Sequence, residues 1–117
     1  MEVTDISEKS GGCEGVSIVI PFFNEEGNVL PLMAGIEKAM GPMRIPFEVI
    51  AVDDGSTDKT FGKLKEAFGK YDNLKVIKLR RNFGQTAALS AGLAHASKDV
   101  IVTMDGDRQN DPADIPR

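Results

Sequence analysis

Phe47-Glu48-Val49-Ile50-Ala51-Val52-Asp53-Asp54-Gly55-Ser56-Thr57-Asp58 is the stretch that decides the fold. Its first six residues form a short apolar run of strand character. The run breaks at Asp53-Asp54-Gly55-Ser56, a cluster of turn residues. Beyond it, Ser56 or Thr57 can cap a helix whose inner face carries Phe61, Leu64 and Phe68, with Gly69 closing it. A strand that passes through a polar turn into an amphipathic helix is the repeating unit of a parallel α/β sheet.

The same unit recurs on both sides. Upstream, Val16-Ser17-Ile18-Val19-Ile20 is nearly continuous in apolar character, as expected of a strand covered on both faces, and Pro21 is expected to end it. A helix follows, with Asn28 as its cap and Val29, Met33, Ile36 and Met40 at helical spacing. Pro31 falls in its first turn, where a missing N–H costs little, and Gly41-Pro42 stops it. Downstream, residues 74–79 read as a third strand and residues 85–96 as an alanine-rich helix able to pack closely on a sheet. Val100-Ile101-Val102-Thr103-Met104 reads as a fourth strand ending at Asp105-Gly106-Asp107. The expectation is a Rossmann-like parallel sheet with right-handed crossovers and helices on both faces. Residues 1–15 are polar and read as a flexible leader, leaving residues 16–117 as the folded part.

In such sheets ligands bind beyond the carboxyl ends of the strands. Asn24 and Glu25, Asp53 and Asp54, Arg81 and Asn82, and Asp105 and Asp107 follow the four expected strands in turn. Acidic and amide groups far apart in sequence thus meet along one edge.

Composition narrows the partners. The chain has 117 residues, 27% of them charged, and a net charge of -4 with no basic cluster, which argues against nucleic acid. Cys13 stands alone, so an internal disulfide is excluded, and no Cys or His neighbour suggests zinc. A reducing, cytoplasmic setting fits. No apolar run approaches the roughly 20 residues of a membrane span.

The strongest chemical signal is Asp105-Gly106-Asp107. Two carboxylates one residue apart, just past a buried strand, can point to the same side. Hard oxygen ligands at that spacing suit Mg²⁺ or Mn²⁺ shared with phosphate oxygens, and Gln109 can add a carbonyl oxygen. Gly106 leaves the backbone open to a ligand. A solvated acidic turn is the plainer reading of the tripeptide; its place at a strand end favours the metal. Asp54 can accept a hydrogen bond from a base or a ribose, although the short segment alone reads more simply as a helix N-terminus. Phe23 can flank a base and Glu25 can meet a ribose, or both can be packing and helix-start residues. Arg81 can approach a diphosphate or lie in solvent. His95 and the lysines Lys63, Lys65 and Lys70 read as structural and solvated.

Taken in order, Ser17-Ile18-Val19-Ile20-Pro21 into Asn24-Glu25-Glu26, then Val52-Asp53-Asp54-Gly55-Ser56-Thr57-Asp58, Arg81-Asn82-Phe83-Gly84 and Met104-Asp105-Gly106-Asp107 with Gln109, Asp111 and Pro112 resemble the inverting glycosyltransferases of family 2 with the GT-A fold. The resemblance covers residues 16–117 and is nearest to enzymes that glycosylate polyprenyl phosphates, such as dolichol-phosphate mannose synthase. It implies that this is the N-terminal, nucleotide-binding half of a GT-A domain. Pro21, Phe23, Glu25, Val52 and Asp54 would line the nucleoside pocket, with Asp54 at the base. Asp105 and Gly106 would lie against the donor, and Asp105, Asp107 and Gln109 would hold Mg²⁺ or Mn²⁺ on its diphosphate. Arg108, where leucine is usual, and Phe23, where tyrosine is frequent, depart from the family pattern.

The resemblance also implies a UDP- or GDP-hexose donor and a polyprenyl phosphate or other glycan acceptor, at the cytoplasmic face of a membrane in the full-length protein. An anionic phosphate acceptor needs no catalytic base, and no catalytic residue is expected within this segment. The acceptor half is expected after Arg117, so residues 1–117 alone are expected to transfer no sugar. An unpaired fourth strand would invite self-association. Two rivals fit less well. A signalling receiver carries its acidic pair after the first strand, and a haloacid-dehalogenase phosphatase carries its D-x-D-x-T there. A non-catalytic nucleotide-sugar-binding module remains an alternative.

Overall fold

The computed structural model describes residues 2–5 and 13–104. Five strands form one sheet in the order β1-β5-β2-β3-β4: β1 (Glu2–Asp5), β2 (Cys13–Phe22), β3 (Phe47–Asp53), β4 (Leu74–Lys78) and β5 (Lys98–Thr103). β2 pairs in parallel with β3 and with β5, and β3 pairs in parallel with β4. The expected four parallel strands are therefore present. The helices are α1 (Val29–Met40), α2 (Thr60–Phe68) and α3 (Gln85–Ala94), with a 3-10 turn at Gly41–Met43 after α1.

Alternation along the central strands builds two cores. Ile18, Ile20, Phe22, Val49 and Ala51 face α1 and α2, meeting Val29, Leu32, Met33, Ile36 and Met40 of the former and Leu64 and Ala67 of the latter. Val19, Ile50, Val52 and Ile101 form the opposite core with Ala88 of α3 and Ala96 just after it. Burying each large aliphatic side chain stabilises the fold by roughly 1.5–3 kcal/mol, so strands covered on both faces anchor the molecule. The small residues of α3 let it sit close. A Cβ on Gly92 would lie 2.3 Å from Cγ1 of Val19.

Four expectations are corrected here. Pro21 does not end its strand, because β2 continues to Phe22 with Pro21 opposite Val52. Val19 O accepts from Met104 N, so position 21, two residues on, turns its backbone toward the same side, where β5 has already ended at Thr103. A proline there removes no ladder bond. Residues 1–15 are not wholly a leader, since β1 and the first residues of β2 lie within them. β1 runs antiparallel to β5, from Glu2 opposite Thr103 to Asp5 opposite Val100, so the edge expected to be unpaired is covered. The inner face of α2 also differs, because the helix begins at Thr60 and turns Thr60, Leu64 and Ala67 inward. Phe68 is left 59% exposed, and Phe61 lies half-buried below Lys78 Nζ, 4.6 Å from its ring centre. Among the described residues no helix is long and apolar enough to cross a membrane.

Candidate functional site

Three connections meet at the carboxyl edge of the sheet: residues 23–28 after β2, 54–59 after β3 and 79–84 after β4. The middle one is bonded to both others.

Toward β2, the clasp is centred on Asn24. Its φ of 52 places it in the left-handed region, which Asn tolerates better than most residues. In that conformation its Oδ1 accepts from Thr57 N at 2.8 Å and Asp58 N at 3.3 Å, while its own N donates to Ser56 Oγ at 2.9 Å. Glu25 N donates to Thr60 Oγ1 at 2.8 Å. Asp58 Oδ1 accepts from Thr60 N at 2.9 Å. The slight burial of the Asp58 carboxyl would raise its pKa, but the hydrogen bonds from the Thr60 side chain, Thr60 N and Glu26 N prevail and lower it. Ser56 and Thr57 are thus not the cap of α2. They are spent on Asn24, and Asp58 serves the first turn of the helix. Asn28 does hold the N-cap position of α1 but caps without its side chain, whose amide donates to Glu25 Oε2 instead.

Toward β4, the clasp is the Asp54 carboxylate, 3% exposed. Oδ1 accepts from Phe83 N at 2.8 Å, and Oδ2 accepts from Gly84 N and Asn82 Nδ2, both at 3.1 Å. The Asn82 amide also donates to Asp54 O at 3.1 Å. Gly55, with φ of 72, brings the backbones together: a Cβ there would lie 2.1 Å from the Arg81 carbonyl carbon. No side chain fits, which is why glycine stands at this turn. Arg81 is exposed and lies over the Phe83 ring, 4.6 Å from its centre. Asp53 is fully buried; Oδ1 accepts from Ser56 N at 3.1 Å, and Oδ2 has no hydrogen-bond partner among the described residues.

The residues expected from sequence therefore divide. Phe23 is 43% exposed at the edge, with Pro21 and Glu25 half-buried beside it. Val52 is wholly buried in the core under α3, so its side chain offers a ligand no surface. Asp54 is brought to the edge but is already engaged by the 82–84 backbone. Asp105, Gly106, Asp107 and Gln109 lie outside the described residues. The chain leading to them is fixed as far as Met104, whose N donates to Val19 O at 3.0 Å. Among the described residues no group of three or more His, Cys, Asp or Glu is placed to hold a metal.

Sequence reasoning missed the opposite edge. Glu48, 6% exposed, accepts at Oε2 from Ser17 Oγ at 2.6 Å, Ser97 N at 2.7 Å and Ser97 Oγ at 2.9 Å, and pairs at Oε1 with Lys75 Nζ at 2.9 Å. Burial would raise its pKa, but the bonds from Ser17, Lys75 and Ser97 outweigh it and bring it down to about 2. The available signal was an acid inside an otherwise apolar strand.

A parallel sheet whose β2-β3-β4 connections carry polar side chains to one edge is the arrangement of the N-terminal part of a GT-A fold. The chain belongs to glycosyl transferase family 2, whose pattern residues 17–117 match. It is 48% identical over 102 residues to dodecaprenyl-phosphate galacturonate synthase of Rhizobium johnstonii, covering 86% of this chain and 30% of that protein. It is 44% identical over 103 residues to an undecaprenyl-phosphate 4-deoxy-4-formamido-L-arabinose transferase of Pseudomonas fluorescens, covering 87% and 30%. The chain thus spans about 30% of the length of these curated relatives. Among solved structures, glucosyl-3-phosphoglycerate synthase from Mycobacterium tuberculosis, in complex with Mn²⁺, UDP and glucosyl-3-phosphoglycerate, superimposes with a TM-score of 0.66 at 25% identity, covering 95% of this chain and 39% of that one.

Proposed function

We propose that this chain binds the donor in an inverting transfer of a hexose from a UDP- or GDP-sugar to a polyprenyl phosphate. The observation that carries the reading is the convergence of the 23–28, 54–59 and 79–84 connections at one sheet edge, in a chain of this family. The names of the relatives support the lipid acceptor, and with it a place at the cytoplasmic face of a membrane. In this reading Phe23 flanks the base, with Pro21 and Glu25 beside it. Asp105 and Gly106 lie against the donor, and Asp105, Asp107 and Gln109 hold Mg²⁺ or Mn²⁺. That donor set is all oxygen, which suits a hard cation, and Asp105 directly follows a residue anchored on β2. When bound, such an ion offsets the charge that develops on the leaving diphosphate. A phosphate acceptor arrives as an anion and needs no general base from the chain. Residues 1–117 span about 30% of the length of these relatives, and in this reading they bind donor without transferring sugar.

Calorimetric titration with UDP and GDP, with and without Mn²⁺, tests this. Binding is expected to depend on Mn²⁺, and Asp107→Asn is expected to weaken it about tenfold or more without changing the melting temperature. Equal affinity in the variant, or Mn²⁺-independent binding, removes the metal assignment.

A further inference from the structure

We propose that the open edge of the sheet at β4, with the groove between β4 and α2, docks an extended segment of a partner protein that alternates acidic and large apolar residues on one face. None of the groove residues belongs to the three connections of the candidate donor site, so this surface is separate from that site.

β4 is the last strand on its side of the sheet, and among the described residues no strand lies beyond it. Asn73 O accepts from Val49 N and Leu79 N donates to Asp53 O, both at 2.9 Å, so the odd-numbered residues turn their backbone toward β3. The intervening residues of a parallel strand turn theirs the other way, which leaves the N–H and C=O groups of Val76 and Lys78 facing outward. Such a row of donors and acceptors is a template for a further strand.

The side chains beside that row form a matching surface. Phe61, Lys65 and Phe68 of α2 and Val76 and Lys78 of β4 line a groove of about 220 Å³. Its apolar part is accessible, since Phe68 is 59% exposed and Phe61 and Val76 are half-buried. α2 leaves both rings outside the core because Thr60, Leu64 and Ala67 form its buried stripe. The ammonium groups of Lys78 and Lys65 lie 4.6 and 5.7 Å from the centre of the Phe61 ring. Neither pairs with a carboxylate among the described residues, whereas Lys63 pairs with Glu66 and Lys75 with Glu48. Two uncompensated cations therefore rim an apolar floor. Along an added strand every second side chain falls on the α2 face. A large apolar residue there can cover Phe61 and Phe68, and an acid two positions away can meet Lys78 or Lys65.

Charge selects the occupant. Lysines on an edge strand repel a second copy of the same edge, and Lys75 and Lys78 do so here. The uncompensated ammonium groups that turn away a copy draw an acidic strand. A lipid surface could meet the lysines and Phe68, but it offers no strand to the outward N–H and C=O groups of β4.

A capped peptide of sequence Thr-Glu-Thr-Phe-Thr-Glu-Thr, titrated against the unaltered chain by NMR, tests this. It is compared with a peptide carrying lysine in place of both glutamates and with one N-methylated on its three central amides. The acidic peptide is expected to shift the Val76 and Lys78 amides, and the lysine peptide to bind about tenfold or more weakly. The N-methylated peptide is expected to lose about tenfold as well, because it cannot pair with the edge. Phe68→Ala is expected to weaken the acidic peptide about fivefold through the lost apolar contact. Lys78→Glu is expected to reverse the order of the acidic and lysine peptides. Lys65→Glu, on the exposed face of α2, should narrow the gap between them and carries the test should Lys78→Glu disturb β4. Equal binding of the two peptides, an unchanged gap in both lysine variants, or undiminished binding of the N-methylated peptide overturns the proposal. Absence of shifts at Val76 and Lys78 also overturns it, and shifts there with phosphatidylglycerol vesicles instead would make the surface a membrane face.

Discussion

Of the three buried carboxylates in or beside β3, Glu48 and Asp54 are used differently. Glu48, near the start of the strand, gathers Ser17 of β2, Lys75 of β4 and Ser97 at the entry to β5. Asp54, one residue past the end, gathers the backbone N–H groups of Phe83 and Gly84 and the Asn82 amide. Both are nearly inaccessible, and both accept from several donors at once. The partners of Glu48 belong to strands or the entry to one, which the hydrophobic cores already hold in register. Those of Asp54 belong to a connection that has few core contacts and depends on the carboxylate for its shape. A buried acid thus acts chiefly on stability at one edge and on the geometry of the candidate site at the other.

The comparison is broken most severely by Glu48→Ala. It removes the acceptor of Ser17 Oγ and of the Ser97 N–H and hydroxyl together with the ion-pair partner of Lys75, and is expected to cost about 3 kcal/mol, or roughly 10 °C in Tm. Nucleotide affinity per folded molecule is expected to stay within twofold. A loss of binding at unchanged stability would reverse the assignment of the two edges.

Acid titration sharpens the same point. The folded pKa of Glu48 is about 2 against an ordinary 4.5, so its contribution is present above pH 4.5 and is lost as pH falls toward 2. The difference corresponds to roughly 3 kcal/mol at neutral pH. Denaturant midpoints should therefore fall steeply between pH 4.5 and 2 in the unaltered chain. In Glu48→Gln the fall over that window should be shallower, and an unchanged slope would show that other carboxyls dominate.

The smallest effect separates the two partners in the Asn24 clasp. Ser56→Ala removes one acceptor from an exposed bond and is expected to cost under about 1 kcal/mol, as a lost hydrogen bond rather than a lost cap. Asn24→Ala removes the acceptor for Thr57 N and Asp58 N and places alanine at φ of 52, so it should cost about 1–2 kcal/mol more. Equal costs in chemical denaturation would mean that the Asn24 side chain contributes no more than the single bond at Ser56 Oγ.

Much of this was legible in the chain. The central strands could be read from runs such as Val16-Ser17-Ile18-Val19-Ile20 because burial on both faces removes polar residues from a strand. Phe47 to Val52 stood out for the same reason, with Glu48 as the exception that went unexplained. The small residues of α3 foretold close packing, and Gly92 against Val19 supplies it. The end of β2 was misread because a proline is judged by its own missing N–H, whereas the outcome at Pro21 depended on where β5 stopped. Local preference makes Ser56 or Thr57 a cap, but Asn24, more than thirty residues earlier, claims both.

By itself, then, the sequence determined the alternation of strand and helix, the parallel sheet and the edge on which the polar residues gather, because periodicity and turn chemistry act over a few residues. Only the tertiary structure decided that β1 covers β5, that Asp54 grips the 82–84 backbone and that Glu48 ties three strands together. Those outcomes depend on which strands become neighbours and on which buried donors then lack a partner, and neither is encoded within reach of a local pattern.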